Sequence, residues 1–336
     1  MLGIPAAGVA AKLLAQSKKP SMPVRSLNHM TLNVSDLKRS IEFYQGLFGM
    51  PIQSRHGSVA ALRIGQGPEM VVLSASGAAP GFNHLCMTTD NFNVARMKKI
   101  LDEHGLAEIA EVSPGSPMAT AMKYHVRTLR EDEGGDKRGT PELYVGDPDG
   151  ILVQIQDTKY CGGTGLLGEV CPAIEPAPSK GLLALVDLSH FTFFVADQQR
   201  SMDFYQGLFA MPIQAHQGAT PLLGVGSKKQ FLTIVGGLGG RAGAPPPGIN
   251  HASFRMDGFD PDQVLKKLAD FGVKPRGEAR GKAGPLVSYV TMRGPERGGA
   301  QGGTPELYFT DPDGILLQIQ DVSYCGGAGR MGEVCP

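Results

Sequence analysis

Apolar and polar positions alternate along this chain with two periods, two residues and about three and a half. HMTLNV, His29 to Val34, has the alternation of a half-buried strand. Asp36 follows where a helix cap is needed, and SIEFYQGLFG continues at helical spacing to Gly46 or Gly49. RHGSVAALRIG and EMVVLSAS then read as strands. The pattern starts again with the strand HLCMTT at His84. NVARMKKILDEHG places Val94, Met97, Ile100 and Leu101 on one helix face, stopped by Gly105. ELYV, DPDG and ILVQIQ, from Glu142 to Gln156, close this half as strand, tight turn and strand. The predicted order is βαβββ, used twice.

The whole pattern then recurs. LNHMTLNVSDLKRSIEFYQGLFGMPIQ begins at Leu27, and LSHFTFFVADQQRSMDFYQGLFAMPIQ begins 161 residues later at Leu188. His84 matches His251, and GTPELYVGDPDGILVQIQD matches GTPELYFTDPDGILLQIQD. Two homologous domains are therefore expected at 27–171 and 188–335. A leader occupies 1–26, and the segment 172–187 is a linker whose Pro-rich part, Pro172 to Gly181, is semi-rigid. Gln154 and Gln318 hold the same place in an otherwise apolar strand. A polar side chain there must find a partner or face water, so both are expected to face a site.

Bulk composition narrows the function classes. The 32 Lys and Arg balance 32 Asp and Glu, which argues against a nucleic-acid or anionic-membrane partner. No apolar run is long enough to span a bilayer. The leader MLGIPAAGVAAKLLAQSKKP has the small-residue apolar stretch of a secretory signal without the positive segment before it. A frayed amphipathic leader is the alternative. Cys161 and Cys171 close a Gly-rich loop, as do Cys325 and Cys335, which suggests two disulfides and a periplasmic or secreted location. The alternatives are a Cys-based metal site and a cytoplasmic location. Cys86 reads as a small buried hydrophobe.

The opening L-x-H-x-T-L-x-V-x-D, the F-Y-x-x-L-F-G-M helix, the mid-domain N-H strand and the Y-x-x-D-P-D-G hairpin resemble the vicinal-oxygen-chelate (VOC) superfamily. That is the group of glyoxalase I, bleomycin-resistance proteins and type I extradiol dioxygenases. The resemblance implies an α+β fold of tandem VOC domains, each of two βαβββ modules forming an open, cup-shaped barrel. It also implies a divalent metal (Fe2+, Mn2+ or Zn2+) in each cup, held by His29, His84 and Gln154 in one and His190, His251 and Gln318 in the other. The family pattern has Glu where this chain has Gln, so an amide replaces the charged ligand. A satisfied core histidine or core amide is the alternative at each position.

Tyr144 and Tyr308 stand where the dioxygenases place an active-site Tyr, and an ordinary strand Tyr is equally compatible. Domain one adds His56, His125 and Arg127, with His125 as candidate general base, where domain two has Gln217, Tyr289 and Thr291. Glu142 and Glu306 are candidate substitute carboxylates, though acids at such hairpin ends are commonly solvated or capping. The dioxygenase signature also expects a His before the hairpin, where this chain has Gly135, Asp136 and Lys137, or Gly299, Ala300 and Gln301. The expected function is a metal-dependent enzyme on a small oxygenated substrate, aromatic ones included, dioxygenase-like first and glyoxalase-like second. A bleomycin-resistance-type sequestering protein is the alternative. Family members can swap halves between sites, and a homo-oligomer is compatible with the sequence.

Overall fold

Strand β1 (Val24–Asn33) opens the first domain, and helix α1 (Leu37–Phe48) follows, with the Asp36 carboxylate accepting the Arg39 N–H at 3.0 Å as its cap. Strands β2 (Ile52–His56), β3 (Val59–Arg63) and β4 (Met70–Ser74) complete the first module. The second consists of β5 (Gly81–Thr89), α2 (Val94–Glu103), a two-residue β6 (Ala107–Glu108), β7 (Lys123–Leu129), β8 (Thr140–Gly146) and β9 (Leu152–Asp157). The second domain repeats the order with β10 (Leu185–Phe194), α3 (Gln198–Phe209), β11 (Ile213–Gln217), β12 (Thr220–Val225) and β13 (Gln230–Val235). It closes with β14 (Gly248–Met256), α4 (Pro261–Phe271), β15 (Lys274–Pro275), β16 (Val287–Arg293), β17 (Thr304–Thr310) and β18 (Leu316–Asp321). The computed structural model describes residues 19–110, 112, 117–227, 229–237, 244–277 and 281–336. Most of the signal-like leader lies outside the described residues.

The first module of each domain has the expected βαβββ order, the second adds the two-residue β6 or β15 after its helix, and each domain is one open, curved nine-stranded sheet. In the first the order is β2-β3-β4-β1-β5-β9-β8-β7-β6, and the second repeats it. The central strands β1, β5 and β9 all come from domain one, so each cup is closed by its own domain and the halves are not exchanged. β1 and β10 each start three residues ahead of the expected domain starts. The linker is fastened to domain one, with Glu175 pairing to the Ile52 backbone and bridging Arg55.

A single apolar cluster runs through both domains, because α1 and α3 reach across. Phe48 of α1 packs tilted against Phe254 and Phe309 of domain two, and Phe43 meets Phe271 edge-on. The DPDG turns are more than punctuation. Asp147 accepts its own turn's N–H groups from Asp149 and Ile151 at 2.8 Å, and its other oxygen takes the Tyr205 hydroxyl at 3.1 Å. Asp311 does the same for Tyr44 at 3.2 Å, while Asp149 and Asp313 pair with Arg200 and Arg39. Each hairpin therefore latches onto the other domain's helix. Gly65 and Gly226 mark a second crossing, where an added Cβ would lie 2.3 and 1.8 Å from the Val186 and Arg25 carbonyl oxygens.

Both tail pairs, Cys161–Cys171 and Cys325–Cys335, are disulfides. Each closes a short loop, which stabilises the fold by about 2–3 kcal/mol in the chain-entropy picture. Cys86 is free and buried.

Candidate metal centre

Each candidate histidine is set by a β-bulge. Between Leu27 and His29 the β1–β5 ladder shifts register, leaving Asn28 as the extra residue, and Asn83 is the extra residue beside His84. Ser189 and Asn250 are the counterparts before His190 and His251. The extra residue turns its polar side chain onto the neighbouring ring. Asn28 Oδ1 lies 2.7 Å from His29 Nδ1, Asn83 Oδ1 2.7 Å from His84 Nδ1, and Asn250 Oδ1 2.7 Å from His251 Nδ1. Ser189 Oγ is 3.1 Å from His190 Nδ1.

The amide orientations point to the ring nitrogen that carries hydrogen. Asn28 Nδ2 donates to the Tyr160 carbonyl at 3.2 Å, and Asn83 Nδ2 donates to Asn33 Oδ1 at 3.4 Å. Both Oδ1 atoms must then accept, so Nδ1–H is the donor and each Nε2 keeps its lone pair. Gln154 is fixed the same way, its Nε2 donating to Glu142 Oε1 at 3.4 Å. Its Oε1 faces His29 Nε2 at 3.0 Å and His84 Nε2 at 2.9 Å. Among the described residues, the Thr31 hydroxyl offers a proton nearby, 3.1 Å from His84 Nε2.

Three lone-pair atoms thus converge. They repel one another unless a proton or a cation lies among them. Burial, then the neighbouring His84, pushes His29 down from its ordinary 6.5 to about 3. Burial likewise takes His84 to about 4. Both rings are neutral at neutral pH, so each offers a lone pair rather than a charge to whatever enters. Ligands bound at about 2.1 Å and at right angles around one divalent ion stand about 3 Å apart, the spacing of each histidine Nε2 from Gln154 Oε1.

The second cup repeats the arrangement more loosely. Gln318 Oε1 is buried and takes no hydrogen bond among the described residues. Burial, then the His251 ring, holds His190 well below its usual range, and burial takes His251 to about 4. His190 stacks on Phe231 at 4.4 Å. A cavity of about 360 Å³ opens onto His190, His251, Gln318, Glu306 and Tyr308. Among the described residues no group of three His, Cys, Asp or Glu side chains could hold a metal. Each triad reaches three ligands only through its amide.

Glu142 and Glu306 are not the solvated acids that hairpin ends suggest; they are 5% and 4% exposed, beneath the triads. Glu142 accepts the Tyr144 hydroxyl at 2.9 Å and the Tyr160 hydroxyl at 3.0 Å, with Arg127 3.9 Å away. Burial raises its carboxyl despite those donors. In domain two the fully buried Arg293 takes over, its Nε 2.9 Å from Glu306 Oε1, and Tyr308 is 3.4 Å from the other oxygen. The structure thus brings Tyr144 and Tyr308 to the cups, each ring 5.3 Å from His84 or His251. His125 lies opposite Tyr144 on β7 and gives its Nδ1–H to the Ile109 carbonyl at 2.8 Å. Tyr160 through Glu142, Arg293 through Glu306, and Tyr324 through its ring 5.6 Å from His190 are part of the setting; sequence reasoning passed over all three. The signal for the tyrosines was their repeated place before the first Cys of each tail.

The buried imidazoles also set a pH dependence in metal-free protein. A histidine depressed on folding contributes stability that is present above 6.5 and lost as pH falls, by about 1.4 kcal/mol per unit per group. Four such rings act together. Asp147 and Asp311, raised to about 6 mainly by burial, and Glu142, raised by burial, act in the opposite sense, stabilising as pH falls. The imidazoles outnumber them. Urea midpoints of chelator-treated protein should fall steeply between pH 6 and 4, and a flat profile would contradict the neutral-ring assignment.

The family model described as Glyoxalase/Bleomycin resistance protein/Dioxygenase superfamily matches residues 26–155 and 187–319. The structure is similar to the Mn(II)-bound glyoxalase from Novosphingobium aromaticivorans (TM-score 0.58, 15% identity, 89% of this chain and 82% of that one). It is similar to a catechol 2,3-dioxygenase (0.58, 15%, 91% and 88%) and to homoprotocatechuate 2,3-dioxygenase from Arthrobacter globiformis (0.57, 18%, 90% and 81%). A search of the curated proteins finds no match. At these identities the likeness shows the fold alone.

Proposed function

The chain belongs to the Glyoxalase/Bleomycin resistance protein/Dioxygenase superfamily, and from that membership we propose a divalent-metal enzyme acting on a small oxygenated substrate. Dioxygenase-like chemistry comes first and glyoxalase-like chemistry second. The observation that carries the reading is the approach of the His84 and His29 Nε2 atoms to the Gln154 carbonyl oxygen at 2.9 and 3.0 Å. His29, His84 and Gln154 would hold one ion, and His190, His251 and Gln318 another. An ion there supplies Lewis acidity toward adjacent substrate oxygens.

The chain's own residues supply the rest. Burial, then the nearby Glu142 or Glu306, holds the Tyr144 and Tyr308 hydroxyls well above their usual range. They stay protonated and act as hydrogen-bond donors to a substrate oxygen, released from the carboxylates they now contact. His125, with Nδ1–H committed to Ile109, presents Nε2 as a proton acceptor in domain one. The two disulfides support an extracytoplasmic location.

Metal analysis of protein purified without chelators tests the reading. Up to one ion per cup is expected, with His29→Ala plus His84→Ala emptying one cup and His190→Ala plus His251→Ala the other. Metal-free wild type, or content unchanged in both variants, would sink it. The uncharged ligand set favours one other reading, a sequestering protein without catalysis. Ligand binding that survives complete metal removal would decide for that.

A further inference from the structure

The disulfide-closed tails that follow β9 and β18 each pack beside their own cup. Tyr160, next to Cys161, has its ring 5.9 Å from that of His29, and Tyr324, next to Cys325, has its ring 5.6 Å from that of His190. Inside the two tails the main-chain bonds are the same. Cys161 N–H bonds to the Gly168 carbonyl as Cys325 N–H does to that of Gly332, and Thr164 bridges Val170 as Ala328 bridges Val334. Thr140 and Thr304 give each tail one further bond, to the Gly165 and Gly329 carbonyls.

Other side chains of the sheet hold the two tails differently. In domain two Gln214 Nε2 donates to the Cys325 carbonyl at 2.9 Å, Gln217 Nε2 to that of Gly326 at 3.3 Å, and Arg293 to that of Gly327 at 3.0 Å. Gln53, His56 and Leu129 stand in those places in domain one. The Leu129 side chain has no donor, and among the described residues Gln53 Nε2 and His56 Nε2 are buried without a hydrogen-bond partner. The domain-one tail therefore depends more on its disulfide, which ties Tyr160 to a segment fastened to β2 through Glu175. That disulfide is also the easier one to reach. Cys171 is exposed, whereas Cys335 packs against Ala215, Leu222, Phe231 and Tyr324.

The less secured tail is the one bonded to a neighbour of a candidate ligand. Asn28 Nδ2 donates to the Tyr160 carbonyl at 3.2 Å, and that bond leaves Asn28 Oδ1 facing His29 Nδ1 at 2.7 Å. Ser189 stands in the place of Asn28. Its one hydroxyl lies 3.1 Å from His190 Nδ1, and among the described residues it makes no bond to the tail.

We propose that the Cys161–Cys171 disulfide positions His29 through Tyr160 and Asn28, so that an external dithiol loosens the domain-one metal centre and leaves that of domain two intact. The proposal rests on the reading of the cups as metal centres and adds a redox control to one of them. In the reduction a thiolate of the dithiol bonds to the exposed Cys171 sulfur, and the protein S–S bond breaks with Cys161 leaving as the thiolate. The second thiol of the reagent then closes on the first and releases Cys171. The protein gains two electrons and two protons, and the dithiol, now a disulfide, loses them.

Zinc competition with a chromophoric chelator on the full-length chain, one cup emptied at a time by its His→Ala pair, tests it. Cys161→Ser with Cys171→Ser should weaken the domain-one site by about tenfold or more, as the loss of an outer hydrogen-bond partner does. Cys325→Ser with Cys335→Ser should leave the domain-two site unchanged. Dithiothreitol treatment, followed by alkylation and removal of the reagent, should reproduce the loss in domain one alone. Asn28→Ser, the domain-two residue, keeps the disulfide; it should weaken the domain-one site by itself and make that site less sensitive to loss of the disulfide. In zinc-free protein the His29 Nδ1–H cross-peak of nitrogen–proton correlation spectra should be lost without Cys161–Cys171, while the His190 cross-peak in the same spectrum shows the chain folded. Equal losses in the two domains, an unchanged His29 cross-peak, or a disulfide effect undiminished in Asn28→Ser would overturn the proposal. A wild type that takes no zinc, yet loses the His29 cross-peak on reduction, would sink the metal reading and leave the positioning role standing.

Discussion

Arg293→Ala should cost about 3–5 kcal/mol of stability. Arg293 has no solvent exposure, and its three nitrogens reach Glu306 at 2.9 Å, the Gly327 carbonyl at 3.0 Å and the Arg297 carbonyl at 3.4 Å. Truncation leaves a buried carboxylate without its counterion and two carbonyls without donors. The penalty belongs to the stranded charge more than to the lost pair. Arg293→Met combined with Glu306→Gln should therefore recover most of it. Arg127→Ala in domain one should cost far less, because Arg127 is partly exposed and 3.9 Å from Glu142, which two tyrosine hydroxyls already satisfy. Urea denaturation of the four proteins measures this directly. A loss under about 1 kcal/mol for Arg293→Ala, or a double variant no better than the single one, would contradict the assignment.

The doubled βαβββ order was legible because strand and helix periods differ and because the chain carries the pattern twice. His29, His84, His190 and His251 were legible as candidates through the family resemblance. Why they face one another was not. That depends on Asn28, Asn83, Ser189 and Asn250 being extra residues in their ladders, and a bulge is defined by a partner strand more than 50 residues away. Glu142 could have been placed from the sequence. It shares strand parity with Tyr144, so assigning that tyrosine to the cup carries Glu142 to the same face. Expecting a solvated acid there gave too much weight to the nearness of the strand end. The DPDG turns were read correctly as turns, but Asp147 answers to Tyr205 in the other domain, and no local pattern reports a latch of that kind.

Gln318→Glu should tighten divalent-metal binding at least tenfold at neutral pH, while Gln154→Glu should gain much less. Both substitutions restore the charged ligand expected at the position, yet the two cups differ in what lies behind it. In domain two the Glu306 charge is compensated by Arg293, so a new carboxylate adds a full negative charge to the triad. In domain one the Gln154 amide nitrogen donates to Glu142 at 3.4 Å, and a carboxylate oxygen in its place faces a second buried carboxylate. Two such groups cannot both ionise at that distance, and the pair keeps one proton. Metal must then displace that proton, so the gain in domain one should emerge only as pH rises. Competition with a chromophoric chelator across a pH series reads both, with the other cup emptied by its His→Ala pair. Equal, pH-independent gains would remove Glu142 from the account of domain one. Unchanged affinity in Gln318→Glu would mean that the glutamine is a core amide and that His190 and His251 hold the ion without it.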